Sequence, residues 1–129
     1  MAIVTMFKIE SLLVLSIAIL FVPTKAMAAW VQVGDGHDIK VYIETASINH
    51  KGKEVFFVLD TLTAFPDDNG AIASTHYQSI DCPTGMRFSH RLIGFSRSGR
   101  VVYDEVGGAP APPARPGSIG RRIYNFVCR

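Results

Sequence analysis

The sequence predicts an α+β fold: a six-stranded antiparallel β-sheet meander followed by a C-terminal helix that a disulfide pins to the sheet. Three observations carry this. Turn signals recur at short intervals between runs rich in β-branched and aromatic residues, the pattern of strands joined by hairpins. A segment with three glycines and four prolines in eleven residues, "GGAPAPPARPG" (107–117), ends that pattern. Beyond it apolar residues return at helical spacing and lead into Cys128.

The elements follow in order. "AWVQV" opens a first strand and "GDG" turns it. "DIKVYIE" sets Ile39, Val41 and Ile43 against Lys40, Tyr42 and Glu44, a strand with one wet face. "NHKG" is expected to turn into "KEVFFVLDTLTAF", where Val55, Phe57 and Leu59 share a face. In "PDDNG" the Asn69-Gly70 pair favours positive φ and so a reversal. "AIASTHYQSI" reads as a strand and "CPTG" as a turn. "MRFSHRLIGF" alternates Met86, Phe88, His90 and Leu92 against Arg87, Ser89, Arg91 and Ile93, and "SRSG" turns into "RVVYDEV". Proline cannot donate to a ladder, so 107–117 is a connector. In the last element, 118–128, Ser118 is placed to cap a helix, and Ile119, Ile123, Phe126 and Val127 form an apolar stripe. Its β-branched and aromatic content would also suit a seventh strand; a helix is expected.

The first 28 residues have the form of a secretory signal peptide. Lys8 supplies the charge, Ser11 to Val22 the apolar stretch, and Ala26-Met27-Ala28 the small-residue cleavage site. The apolar stretch is shorter than the roughly 20 residues of a membrane span. No cysteine stands at the cleavage site, so neither a lipid anchor nor a stable membrane anchor is expected. Residues 29–129 would then form one exported domain, in the periplasm or the medium.

Both cysteines, Cys82 and Cys128, lie in that exported part. An even count in an oxidising compartment is most simply a disulfide, with free thiols, a redox pair or metal ligands as the alternatives. No C-x-x-C spacing supports a redox pair or a metal site. A short helix on a proline-rich tether docks only marginally by itself, and a bond from Cys128 to Cys82 would hold it on the sheet.

Charge is divided along the chain. From Ala29 to Tyr77 three lysines face seven acidic residues, a net −4; from Gln78 onward eight arginines face three acids, a net +5. The halves interleave in one domain, which points to mutual complementarity or to an anion-binding face. Arg87 and Arg91 alternate onto one strand face, and Arg121 and Arg122 lie on the polar side of the expected helix. Arginine forks bind carboxylate, sulfate and phosphate. These four residues are therefore the candidate partner-binding set.

The order of features resembles the surface-adhesin protein E family of exported bacterial proteins. The resemblance rests on Trp30 after the signal peptide, "VYIETASI", "YQSIDC", "GRVVYDE" and the closing "PGSIGRRIYNFVC". It covers essentially all of the mature chain. It implies a six-stranded antiparallel sheet with a C-terminal helix, a homodimer, and, for the member that names the family, adhesion to host matrix and serum proteins.

Catalytic patterns are lacking. Four histidines (His37, His50, His76, His90) form no H-x-H or H-E-x-x-H arrangement, so no metal and no cofactor is expected. "GFSRSG" departs from the nucleophile elbow at Ser98 and sits between strands. "GDGHD" and "PDDNG" lack calcium-loop spacing. Nucleic acid is disfavoured by export and by the small net charge. The sequence therefore reads as an exported, non-catalytic interaction module with a protein or acidic-glycan partner. The alternative is a periplasmic structural or envelope-maintenance protein with an internal partner.

Overall fold

The computed structural model describes residues 29–129. The expected signal peptide lies outside these residues. One antiparallel sheet contains seven strands: β1 (Trp30–Gly36), β2 (Ile39–Glu44), β3 (Asn49–Lys51), β4 (Glu54–Thr63), β5 (Ala73–Asp81), β6 (Arg87–Phe95) and β7 (Val101–Val106). They run in the order β1-β2-β4-β5-β6-β7, and β3 pairs with the first residues of β4 beside β2. Among the described residues one α-helix, α1 (Ile119–Val127), follows.

Seven strands replace the expected six, because "NHKG" is not all turn. A 3-10 turn at Thr45–Ser47 interrupts the edge after β2, and Asn49–Lys51 resumes it against Phe56–Glu54. Ser47 explains how the break is tolerated. Its hydroxyl donates to Glu44 O at 2.6 Å and accepts the Val58 N–H at 2.8 Å. Val58 lies between the stretches of β4 that pair with β2 and with β3, so a side chain supplies the missing rung.

The expected alternation sets the core. Val41, Ile43, Val55, Phe57, Leu59 and Ile80 are buried on one face of the sheet, with Ile123 and Val127 of α1 packed against them. Ser118 caps the helix, accepting the Arg121 N–H at 3.1 Å. Two glycines of β1 let the helix approach: a Cβ on Gly34 would stand 2.9 Å from Ile119 Cγ2, and one on Gly36 would stand 3.4 Å from Ile119 Cδ1.

The far end of α1 is fastened twice. Cys128 is bonded to Cys82, with Cα atoms 5.6 Å apart, and Tyr124 Oη donates to Cys82 O at 2.6 Å. The connector is stitched down by Arg87. Its backbone exchanges hydrogen bonds with Ala111, and its Nε donates to Pro112 O at 3.0 Å.

Candidate interaction surface

The helix covers one face of the sheet and leaves the other bare. Cross-strand registers place Tyr42, Asp60 and Thr75 in one row of the bare face, and Phe56 and Ser79 in another. Trp30 and Tyr77 stand out on it, 44% and 39% exposed. Leu62, 45% exposed, adds to the apolar area on this face and makes it the candidate interaction surface.

A β-bulge determines what else reaches this face. Gln78 pairs with Ser89 but Tyr77 pairs with Arg91, so His90 is an extra residue in β6. His90 and Arg91 therefore both project from the bare side. The His90 ring stacks on Phe56 with centroids 5.4 Å apart, and its Nε2 lies 2.7 Å from Ser79 Oγ. The Arg91 guanidinium lies over Tyr77 at 6.0 Å, and Lys51 Nζ lies over Phe56 at 5.2 Å. Phe56, Val58, Tyr77 and His90 line a cleft of about 330 Å³. A second cleft of about 300 Å³, on the same face, lies among Trp30, Tyr42, Leu62 and Phe95.

The four candidate arginines do not share a surface. The bulge moves Arg91 away from Arg87, overturning the simple alternation, because two residues separated by an inserted one no longer share parity. Arg87 pairs with Ile80 of the core side, and its Nη1 lies 3.2 Å from where a Cβ on Gly120 would stand. Arg121 stacks over Tyr124 at 4.6 Å, and Arg122 Nη1 lies 3.9 Å from Asp35 Oδ1. These three stand on the helix side. Arg91 instead grips Asp104 with both prongs, at 3.0 and 2.7 Å. That hydrogen bonding holds the Asp104 carboxyl below its ordinary range and raises the Arg91 guanidinium. Among the described residues only Arg122–Asp35 links the acidic and basic halves by an ion pair.

Sequence reasoning missed the aromatic face, although a signal was present. "VFFVL" is apolar at successive positions, so β4 must show apolar groups on both sides of the sheet. Only one of those sides is covered by α1.

Of the four histidines, His37 and His50 are exposed, while His76 and His90 are held by hydrogen bonds to serines. His76 Nε2 lies 2.8 Å from Ser74 Oγ, which in turn meets Thr61 Oγ1. Burial pushes the His76 imidazole below its ordinary 6.5, against the opposing pull of the Asp60 charge. Asp67 of "PDDNG" accepts the N–H groups of Asn69 and Ala71, each at 2.9 Å, and so serves as a turn residue. Among the described residues no group of three or more His, Cys, Asp or Glu is placed to hold a metal ion. Nor, among them, is any helix long and apolar enough to cross a membrane.

A small sheet with one face plated by a disulfide-held helix and the other face open and aromatic defines a class of modules that present a surface. The chain belongs to the surface-adhesin protein E family, whose model matches residues 30–129. Its structure is similar to that of Haemophilus influenzae protein E in crystal form II. That match has a TM-score of 0.51 and 15% identity, and covers 82% of this chain and 91% of that one. Protein E from non-typeable Haemophilus influenzae matches with a TM-score of 0.52 and 13% identity, over 82% of this chain and 79% of that one. At such identities the likeness is one of fold. No curated protein matches the chain significantly.

Proposed function

We propose that this protein is an exported, non-catalytic adhesin-type module that binds a macromolecular partner through the bare face of its sheet. The observation that carries the reading is the cluster of Phe56, Tyr77 and His90 with Lys51 and Arg91 poised over its rings. Aromatic residues and arginine dominate the binding energy of protein interfaces, and the cluster offers both with its apolar area uncovered. Host matrix proteins and acidic glycans are the partners this chemistry suits: rings pack on apolar surface while Lys51, and the Nη1 of Arg91 that Asp104 does not engage, meet carboxylate or sulfate. Of the four arginines, Arg91 belongs to this surface. Arg87, Arg121 and Arg122 offer a separate cationic side near the helix.

The test compares two double variants for binding to immobilised matrix glycoproteins and sulfated glycans. Tyr77→Ser with Arg91→Glu is expected to weaken binding about tenfold or more, and Arg121→Glu with Arg122→Glu to leave it within about twofold. Loss from the helix pair alone would move the site to the other side of the molecule, and equal loss from both would overturn the assignment to the bare face alone. Sedimentation velocity of the unaltered protein and of the Tyr77→Ser, Arg91→Glu variant tests whether a homodimer uses the same face. Protease treatment of intact cells separates surface display from periplasmic residence.

A further inference from the structure

The second cleft of the bare face has a different chemistry from the adhesive cluster. Its walls carry Trp30, Tyr42, Leu62 and Phe95, and its floor carries Asp60 and Thr75, cross-strand partners on β4 and β5. Ala73 pairs with both Leu62 and Phe95, and its small side chain leaves the trough open between them. Thr75 Oγ1 donates to Asp60 Oδ1 at 2.7 Å, which fixes the half-buried carboxylate. Asp60 has no ion-pair partner among the described residues. A carboxylate therefore stands in a cleft lined by three aromatic rings, and Lys40, cross-strand from Leu62 on the same face, makes no ion pair with it.

This arrangement selects its ligand. An anion would be repelled by Asp60, and ring faces, which are negative, would not offset that. A wholly apolar segment would strip water from the carboxylate and return no hydrogen bond. A substituted ammonium ion suits every group present: its methyl groups pack on the rings, whose quadrupoles attract the charge, and the Asp60 carboxylate lines the same cleft. The cleft volume, about 300 Å³, lies at the small end of ligand sites.

We propose that the Trp30–Tyr42–Asp60–Phe95 cleft binds a choline-type substituted ammonium ion. This goes beyond the adhesive reading and does not rest on it, since none of the cleft residues belongs to the Phe56–Tyr77–His90–Arg91 cluster. Trp30 is the sole tryptophan of the chain, so its fluorescence reports on this cleft alone. The experiment titrates the whole exported protein at constant ionic strength with choline chloride, with its uncharged isostere 3,3-dimethylbutan-1-ol, and with glucose. Choline is expected to give a saturable change at millimolar concentration, with the isostere about tenfold weaker. Asp60→Asn keeps an acceptor for Thr75 and is expected to weaken choline by a similar factor. An equal response to the isostere would overturn the proposal by making the cleft merely apolar. Preference for glucose would make it a sugar site, and no saturable response would remove it. Supporting outcomes divide by source. Capture on phosphatidylcholine vesicles, reversed by free choline, assigns a lipid headgroup, whereas choline binding without capture assigns a soluble ion.

Discussion

His76 shows how a residue that resembles chemistry can act on stability instead. It pairs across the sheet with Leu59, inside the core face, and its hydrogen bond runs to Ser74. Burial depresses its folded-state pKa, so the native protein holds it neutral while the unfolded chain binds a proton readily. The sign follows from linkage: this contribution is fully present above the ordinary value of 6.5 and is lost as pH falls below it toward the folded value. Urea midpoints should therefore drop from pH 8 to pH 5, and His76→Gln, which keeps a partner for Ser74, should flatten that drop. An unchanged slope in the variant would show that another group titrates. Ser79, whose hydroxyl lies 2.7 Å from His90 Nε2, is fully buried.

At the scale of elements, most of the architecture was legible. Val41, Ile43, Val55, Phe57 and Leu59 alternate because one face must be dry, and the stripe of Ile123 and Val127 emerges after a cap at Ser118 for the same reason. The two features that could not be read are both departures from period two. A bulge inserts His90 without any sequence mark, and the 3-10 turn depends on one serine hydroxyl reaching a backbone N–H eleven residues away. Their consequence was large: the bulge redistributed the candidate arginines between faces. Packing of α1 against β1 gives a direct prediction. Gly34→Val would force its side chain into Ile119, and the bonded Cys128 limits how far the helix can retreat. We expect a loss of about 1–3 kcal/mol in urea denaturation, whereas Gly52→Ala, with open space around it, should show only the strain of its positive φ.

For the molecule as a whole, the Cys82–Cys128 bond closes the distance between sheet and tail. The two residues are 46 apart in sequence, and a loop of that length stabilises by about 4 kcal/mol on the chain-entropy account. Replacing both cysteines with alanine should lower the unfolding free energy by up to about that amount. The helix should become the first segment to exchange its amide hydrogens, because a nine-residue helix has little stability of its own. Persistent protection of Tyr124 to Val127 in the double variant would show that apolar packing alone suffices. The family and the covalent frame are thus secure in the sequence, while the candidate binding surface emerged only once the sheet showed which side the helix leaves bare.

The inserted residue in β6 also bears on how this chain should be compared with its kin. Removing His90 would leave Ser89 and Arg91 as ordinary successive rungs opposite Gln78 and Tyr77, with each side chain still on its own side. A relative shorter by one residue at that point is expected to keep the same surface, minus the imidazole. Alignments that push such a gap into a neighbouring turn would swap inward and outward positions along half a strand.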